Sequence, residues 1–98
     1  MPEGLKYLVV GAGFTGAVIA ERIASVRNEK VLLIDRRSVT GGASHSAIDP
    51  ETGIECHRHG SHIFHTSSRE VWDYIRRFSE FTDYRHKVLI RSRGKVYS

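Results

Sequence analysis

Apolar and polar positions alternate along this chain with periods that change several times. Lys6 is followed by the apolar run Tyr7-Leu8-Val9-Val10, which reads as a buried-type strand and stops at Gly11. From about Gly13 to Val26 apolar residues recur at helical spacing, and Ala17, Ala20 and Ala24 would keep one face small enough to lie on a sheet. Polar Arg27-Asn28-Glu29 ends that helix. Val31 to Ile34 is again unbroken and apolar, as a parallel strand covered on both faces should be. Between Ala43 and Glu55 the group Asp49-Pro50-Glu51-Thr52-Gly53 predicts a hairpin turn between short irregular strands. A second helix is expected with Ser67 as N-cap, Glu70 closing a capping box, and Val71, Trp72, Ile75 and Phe78 as its buried stripe. The alternating Lys87 to Arg91, a Ser92-Arg93-Gly94 turn and Lys95 to Ser98 predict a final hairpin.

Strand, glycine turn, helix, strand is the order of a βαβ unit, and the glycines give it a chemical reading. Gly11, Gly13 and Gly16 stand at G-x-G-x-x-G spacing directly after the first strand. Gly11 would allow the tight turn, Gly13 the approach of a pyrophosphate to the backbone, and Gly16 close packing of helix on strand. The N–H groups and positive dipole end of the helix would face the phosphates, so no basic side chain is required. Asp35 closes the second strand nineteen positions after Gly16, near the spacing of about 20 at which a carboxylate accepts from a ribose hydroxyl. The fold class is therefore α/β, a Rossmann-like βαβ unit with parallel strands followed by an insertion helix and β-hairpin. A doubly wound sheet needs four or more strands, so residues 1–98 read as the N-terminal part of an incomplete domain.

Length and composition narrow the picture further. Ninety-eight residues can close one small core, and no linker composition or repeat divides them. Met1-Pro2-Glu3-Gly4 lacks the charged and apolar regions of a signal peptide, and no apolar run reaches membrane-spanning length, so a soluble cytoplasmic protein with no membrane partner is expected. The single cysteine, Cys56, has no partner for an internal disulfide or a shared metal and reads as a half-buried strand residue. A net charge of +4 comes largely from Arg36-Arg37, Arg76-Arg77 and the tail from Arg85 to Lys95. Those residues suit nucleic acid, an anionic nucleotide or plain solvated surface; the small-molecule nucleotide is the partner expected, and no nucleic acid. Gly41-Gly42, just past Asp35, either lets the backbone pass close to a bulky ligand or forms a flexible loop. Four of the six histidines fall between His57 and His65. His57-x-His59 on one strand face would be a metal chelate, but no second ligand cluster accompanies it, and Gly60-Ser61 fits close approach to a flat ligand. No metal is assigned; ligand-facing and structural roles both stay open for these histidines.

The glycine motif, Asp35-Arg36 with Gly41-Gly42, the block Gly60-Ser61-His62-Ile63-Phe64-His65-Thr66 and the helix carrying Val71-Trp72-Asp73-Tyr74 together resemble the N-terminal part of bacterial UDP-galactopyranose mutases over nearly the whole chain. The histidine block is the more specific part, because many flavoproteins share the glycine motif. The resemblance implies FAD, reduced for activity, with Gly11, Gly13, Phe14, Thr15 and Gly16 around the pyrophosphate and Asp35 and Arg36 at the adenosine ribose. It places Gly41, Gly42 and Ala43 along the same cofactor, His62 and Ile63 against the isoalloxazine, and His86 near the sugar nucleotide. Ala43 stands where many members have Asn, His59 where Tyr is usual, and Ser61 where Ala or Pro is usual.

The implied reaction interconverts UDP-galactopyranose and UDP-galactofuranose, an isomerisation used in cell wall biosynthesis. In it a reduced-flavin covalent adduct forms at the anomeric carbon with no net oxidation. His62 would be the catalytic residue, UDP-galactose the small-molecule substrate, and a homodimer is allowed. The family's pyrophosphate-clamping arginines and mobile lid would lie beyond Ser98, so residues 1–98 alone are expected to be inactive. The competing readings are a flavin oxidoreductase of the amine-oxidase or desaturase type, which should lack the histidine block, and a non-catalytic nucleotide-binding module. An NAD dehydrogenase stands third, since no hydride-transfer acid or base is evident.

Overall fold

Tyr7–Val10 forms strand β1 and Val31–Ile34 forms β2, and the two pair in parallel with Tyr7 opposite Val31 and Val10 opposite Ile34. These assignments come from a computed structural model that describes residues 3–98; Met1 and Pro2, which enter the signal-peptide reading, lie outside the described residues. Helix α1, Phe14–Arg27, crosses over between the strands and packs on both. It stops at Asn28, whose left-handed φ of 52° turns its N–H back to the Ile23 carbonyl. Lys6 and Arg27 clip the same end through Glu29, at 3.1 and 3.7 Å. This is the predicted Rossmann-like βαβ unit.

Burial departs from the expectation for both strands. Leu8 and Val10 are 54% and 74% exposed, and Ile34 is exposed as well. The sheet has two strands, and α1 covers one face, so alternate side chains on the other face meet no cover among the described residues. Ala12 and Gly16 are the buried positions among those residues. The alanine face of α1 is likewise corrected: Ala17 and Ala24 are exposed, and the less exposed line runs Gly16, Ala20, Ile23.

After β2 a single turn of 3₁₀ helix at Gly42–Ser44 leads into β3, Ser46–Ile48, which pairs antiparallel with β4, Glu55–His57. Asp49 makes the predicted turn, its Oδ1 accepting the N–H groups of Glu51 and Thr52. Ser46 Oγ donates to Glu55 Oε1 across the pair. Cys56 is exposed, not half-buried, since this hairpin carries no covering layer among the described residues.

The described residues form two compact units, one through Ile63 and the other Phe64–Ser98. In the second, α2 spans Arg69–Ile75. Its cap is Ser68, not Ser67: Ser68 Oγ accepts the Val71 N–H at 3.3 Å, while Thr66 Oγ1 accepts the Ser68 N–H and holds that residue extended. Phe78 lies past the helix end and is exposed. The apolar stripe becomes instead an aromatic trio of Phe64, Trp72 and Phe81, with centroids 4.9 to 6.2 Å apart. Arg77 lies over the rings of Tyr74 and Phe78, so it is more than solvated surface. Strands β5, Ile90–Ser92, and β6, Lys95–Tyr97, close the chain as a hairpin. Arg93 and Gly94, both at positive φ, make its two-residue turn. Among the described residues no helix is long and apolar enough to cross a membrane.

Candidate cofactor site

The site is built where β1 ends. Gly11 takes φ 106°, a conformation glycine alone adopts easily, and its N–H donates to the Ile34 carbonyl at 2.7 Å, tying the turn to the end of β2. Gly16 is required for a different reason. A Cβ there would overlap the Gly11 carbonyl oxygen, so only glycine lets α1 sit this close to the turn.

Gly13 is the informative position. A Cβ on it would meet nothing closer than the Gly42 Cα at 3.8 Å, an ordinary contact. Nothing among the described residues therefore demands glycine at this point, and the space it leaves is open. Gly13 is also the N-cap of α1, where no side chain caps the helix and no acidic residue occupies the first turn. An anion would complete such a helix start.

Beside it lies a cleft of about 410 Å³ lined by Gly11, Gly13, Phe14, Thr15, Gly16, Gly41 and Ala43, with Val9, Val10, Ile19 and Ser44. Seven residues singled out in the sequence thus share one cavity wall, and Gly42 stands directly against Gly13. The Gly41-Gly42 pair is not a free loop. Gly41 N–H donates to the Ala12 carbonyl at 2.8 Å, fastening the second glycine segment onto the first.

Asp35 organises the same turn from the other side. Its Oδ2 accepts the Ala12 N–H and its Oδ1 the Arg37 N–H, both at 2.8 Å. Those bonds, the Ala12 one foremost, hold its carboxyl below the usual value. Each carboxylate oxygen keeps a further lone pair, so Asp35 can still accept from a hydroxyl. Ala12, which the sequence reading passed over, is the junction: its N–H goes to Asp35 and its carbonyl takes Gly41. Its only signal in the sequence was its place between two motif glycines.

Arg36 follows Asp35 on the exposed side of the loop. His62 and Ile63 belong to the same compact unit but do not line the cleft, and His86, exposed near Tyr84, belongs to the second unit. The His57-x-His59 chelate does not form, because His57 is the last residue of β4 and His59 already lies in the turn beyond it. His57 instead stacks on His62 with ring centroids 4.0 Å apart. No group of three or more His, Cys, Asp or Glu side chains among the described residues is placed to hold a metal.

Residues 9–78 match the family of NAD(P)-binding Rossmann-like domains. The chain is 41% identical over 91 residues to a probable UDP-galactopyranose mutase of Klebsiella pneumoniae, a match covering 93% of this chain and 23% of that protein. It is 39% identical over 93 residues to a dTDP-fucopyranose mutase of Escherichia coli, covering 95% and 24%. With a UDP-galactopyranose mutase of Mycoplasma pneumoniae it shares 38% over 82 residues, 84% of this chain and 20% of the relative. The chain therefore spans between a fifth and a quarter of the length of these curated relatives.

Proposed function

This chain belongs to the family of NAD(P)-binding Rossmann-like domains, and from that premise we propose that it is the cofactor-binding part of an FAD-dependent mutase that interconverts UDP-galactopyranose and UDP-galactofuranose. The observation that carries the cofactor half of this reading is the fastening of Gly41-Gly42 onto the Gly11-to-Gly16 turn, which makes two glycine segments into one cradle beside an uncapped helix start. The mutase half rests on relatives that bear that name at 38 to 41% identity. The remaining strands and the substrate domain are proposed to lie outside residues 1–98, in keeping with the relatives' greater length.

In this reading Gly11, Gly13, Phe14, Thr15 and Gly16 hold the pyrophosphate of FAD, with the first turn of α1 supplying N–H groups and dipole. Asp35 and Arg36 meet the adenosine ribose, and Gly41, Gly42 and Ala43 flank the cofactor. When bound and reduced, the flavin supplies a nucleophilic nitrogen for covalent catalysis at the sugar's anomeric carbon. His62, with Ile63 beside it, faces the ring system and serves as the group that gives or takes a proton there. His86 approaches the sugar nucleotide.

The test uses the full-length polypeptide. It is incubated with UDP-galactofuranose, with and without dithionite, and the products are separated by chromatography. UDP-galactopyranose formed only under reducing conditions, with no reductant consumed per turnover, is the expected result, and residues 1–98 alone should give none. A bound, reduced flavin with no isomerisation of this substrate overturns the reading. Turnover of dTDP-fucopyranose in its place would move the substrate assignment to the other relative's sugar.

A further inference from the structure

We infer that His57 is a positioning residue for His62, bracing the turn in which the Gly60 carbonyl sets the tautomer of that ring with Nε2 as its open proton acceptor. This rests on the reading of His62 as the proton-handling group. The histidine block owes its chemistry to which atoms can donate. The main-chain N–H of His62 lies 3.1 Å from His57 Nδ1, and a backbone N–H can only donate, so His57 Nδ1 carries a lone pair and neutral His57 holds its proton on Nε2. His62 Nδ1 lies 3.3 Å from the Gly60 carbonyl oxygen, which can only accept. His62 Nδ1 therefore carries a proton, and in the neutral ring Nε2 is left with the lone pair.

The rings are stacked, 4.0 Å between centroids at an interplanar angle of 21°. Each contact alone is weak in an exposed loop, but all three act on the same short turn. Gly60 takes φ 93° with open space where a Cβ would stand, so backbone conformation and not crowding calls for glycine there. That reversal returns His62 to the residue that ends β4. His57 is the fixed side of the pair. It is held in register opposite Ser46, and the next residue, Arg58, donates its N–H to the His45 carbonyl at 3.3 Å. A strand-end imidazole thus braces a loop imidazole, in the way that outer partners set the tautomer and orientation of working histidines elsewhere.

Imidazole combines a flat face with an acceptor at the δ position, and two substitutions separate these. His57→Phe keeps the face and loses the acceptor; His57→Asn keeps a δ acceptor and loses the face. The measurement is long-range ¹H–¹⁵N correlation of the imidazoles in full-length protein labelled at histidine, with His62 assigned through His62→Gln, beside initial rates on UDP-galactofuranose. In the parent, His62 should show the Nδ1–H pattern. In His57→Phe that pattern should give way to Nε2–H, with kcat lower by about 10- to 100-fold and KM little changed, as expected for a misplaced catalytic group. His57→Asn should recover the Nδ1–H pattern and part of the rate. A His62 that keeps Nδ1–H in His57→Phe overturns the inference, whatever the rate does. A parent that shows the Nδ1–H pattern and its loss in His57→Phe, yet isomerises nothing, sinks the mutase reading while the brace on His62 stands.

Discussion

Replacing Gly16 by alanine sets a known gain against a structural cost. The new methyl would overlap the Gly11 carbonyl oxygen and stand 3.0 Å from its carbon and 3.4 Å from Val9 Cγ1. The first two atoms are backbone, in a turn pinned to β2 by the Gly11 N–H bond to Ile34 at 2.7 Å, so no rotamer change relieves them. Either α1 lifts from β1 or the turn itself moves. Overpacking costs about 1–3 kcal/mol, and an obstacle made of backbone belongs at the upper end, near 3. Alanine in a helix returns about 1 kcal/mol relative to glycine. The net is about 2 kcal/mol against the variant, up to roughly 30-fold in a local opening equilibrium. Amide hydrogen exchange across β1 and α1 in the full-length protein reads this directly, with cofactor content measured alongside. Gly13→Ala is the control, because its methyl meets only the Gly42 Cα at 3.8 Å and its φ of −84° suits any residue. Its exchange should change by no more than an N-cap effect of about 1 kcal/mol, while bound-cofactor content falls. If Gly16→Ala exchanges no faster than the parent, the close-packing account of that glycine is wrong.

Two further outcomes follow from hydrogen bonds in each unit. Asp35 has its carboxyl held below the usual 3.8, first by the Ala12 N–H and then by that of Arg37. A depressed folded value means that the bonds contribute fully above the unfolded value and are lost as pH falls through the folded one. The Ala12 amide shift should therefore follow protonation of Asp35 below the usual carboxylate range by NMR in the parent and show no such step in Asp35→Asn. Ser68→Ala should cost α2 about 1 kcal/mol, seen as faster exchange of the Val71 amide, whereas Ser67→Ala should stay within about 0.5 kcal/mol.

The βαβ unit could be read from the chain because period, glycine spacing and helix stop all agree there. Asn28 is a case in point, a polar residue after the last helical turn that also takes the left-handed conformation of a helix stop. Burial could not be read the same way. An unbroken Val31-to-Ile34 run describes a strand suited to cover on both faces, but cover depends on which other elements are present, and among the described residues α1 covers one face. The shifted cap on α2 is a finer failure. Ser67 and Glu70 match the capping-box spacing, yet neighbouring Ser68 has the same chemistry, and the Thr66 side chain decides between them by taking the Ser68 N–H.

The cradle and the histidine block show why some site residues emerge from spacing and others do not. Gly11, Gly13 and Gly16 sit on consecutive local elements, so a fixed spacing fixes a fixed geometry, and the cleft contains all three. Gly41 joins them through a hydrogen bond to Ala12 across a loop that no periodicity describes, and sequence reasoning left its role open between ligand contact and flexible loop. His57 and His62 are five positions apart, a separation that matches neither the strand repeat of two nor the helical repeat of 3.6. They meet because Gly60 reverses the chain between them at φ 93°. A glycine between two histidines was visible in the sequence, but the strand-face chelate His57-x-His59 is the pairing that a period of two favours. That pairing requires β4 to continue to His59, and the strand ends at His57, so the reversal replaces a metal chelate with a stacked, hydrogen-bonded pair.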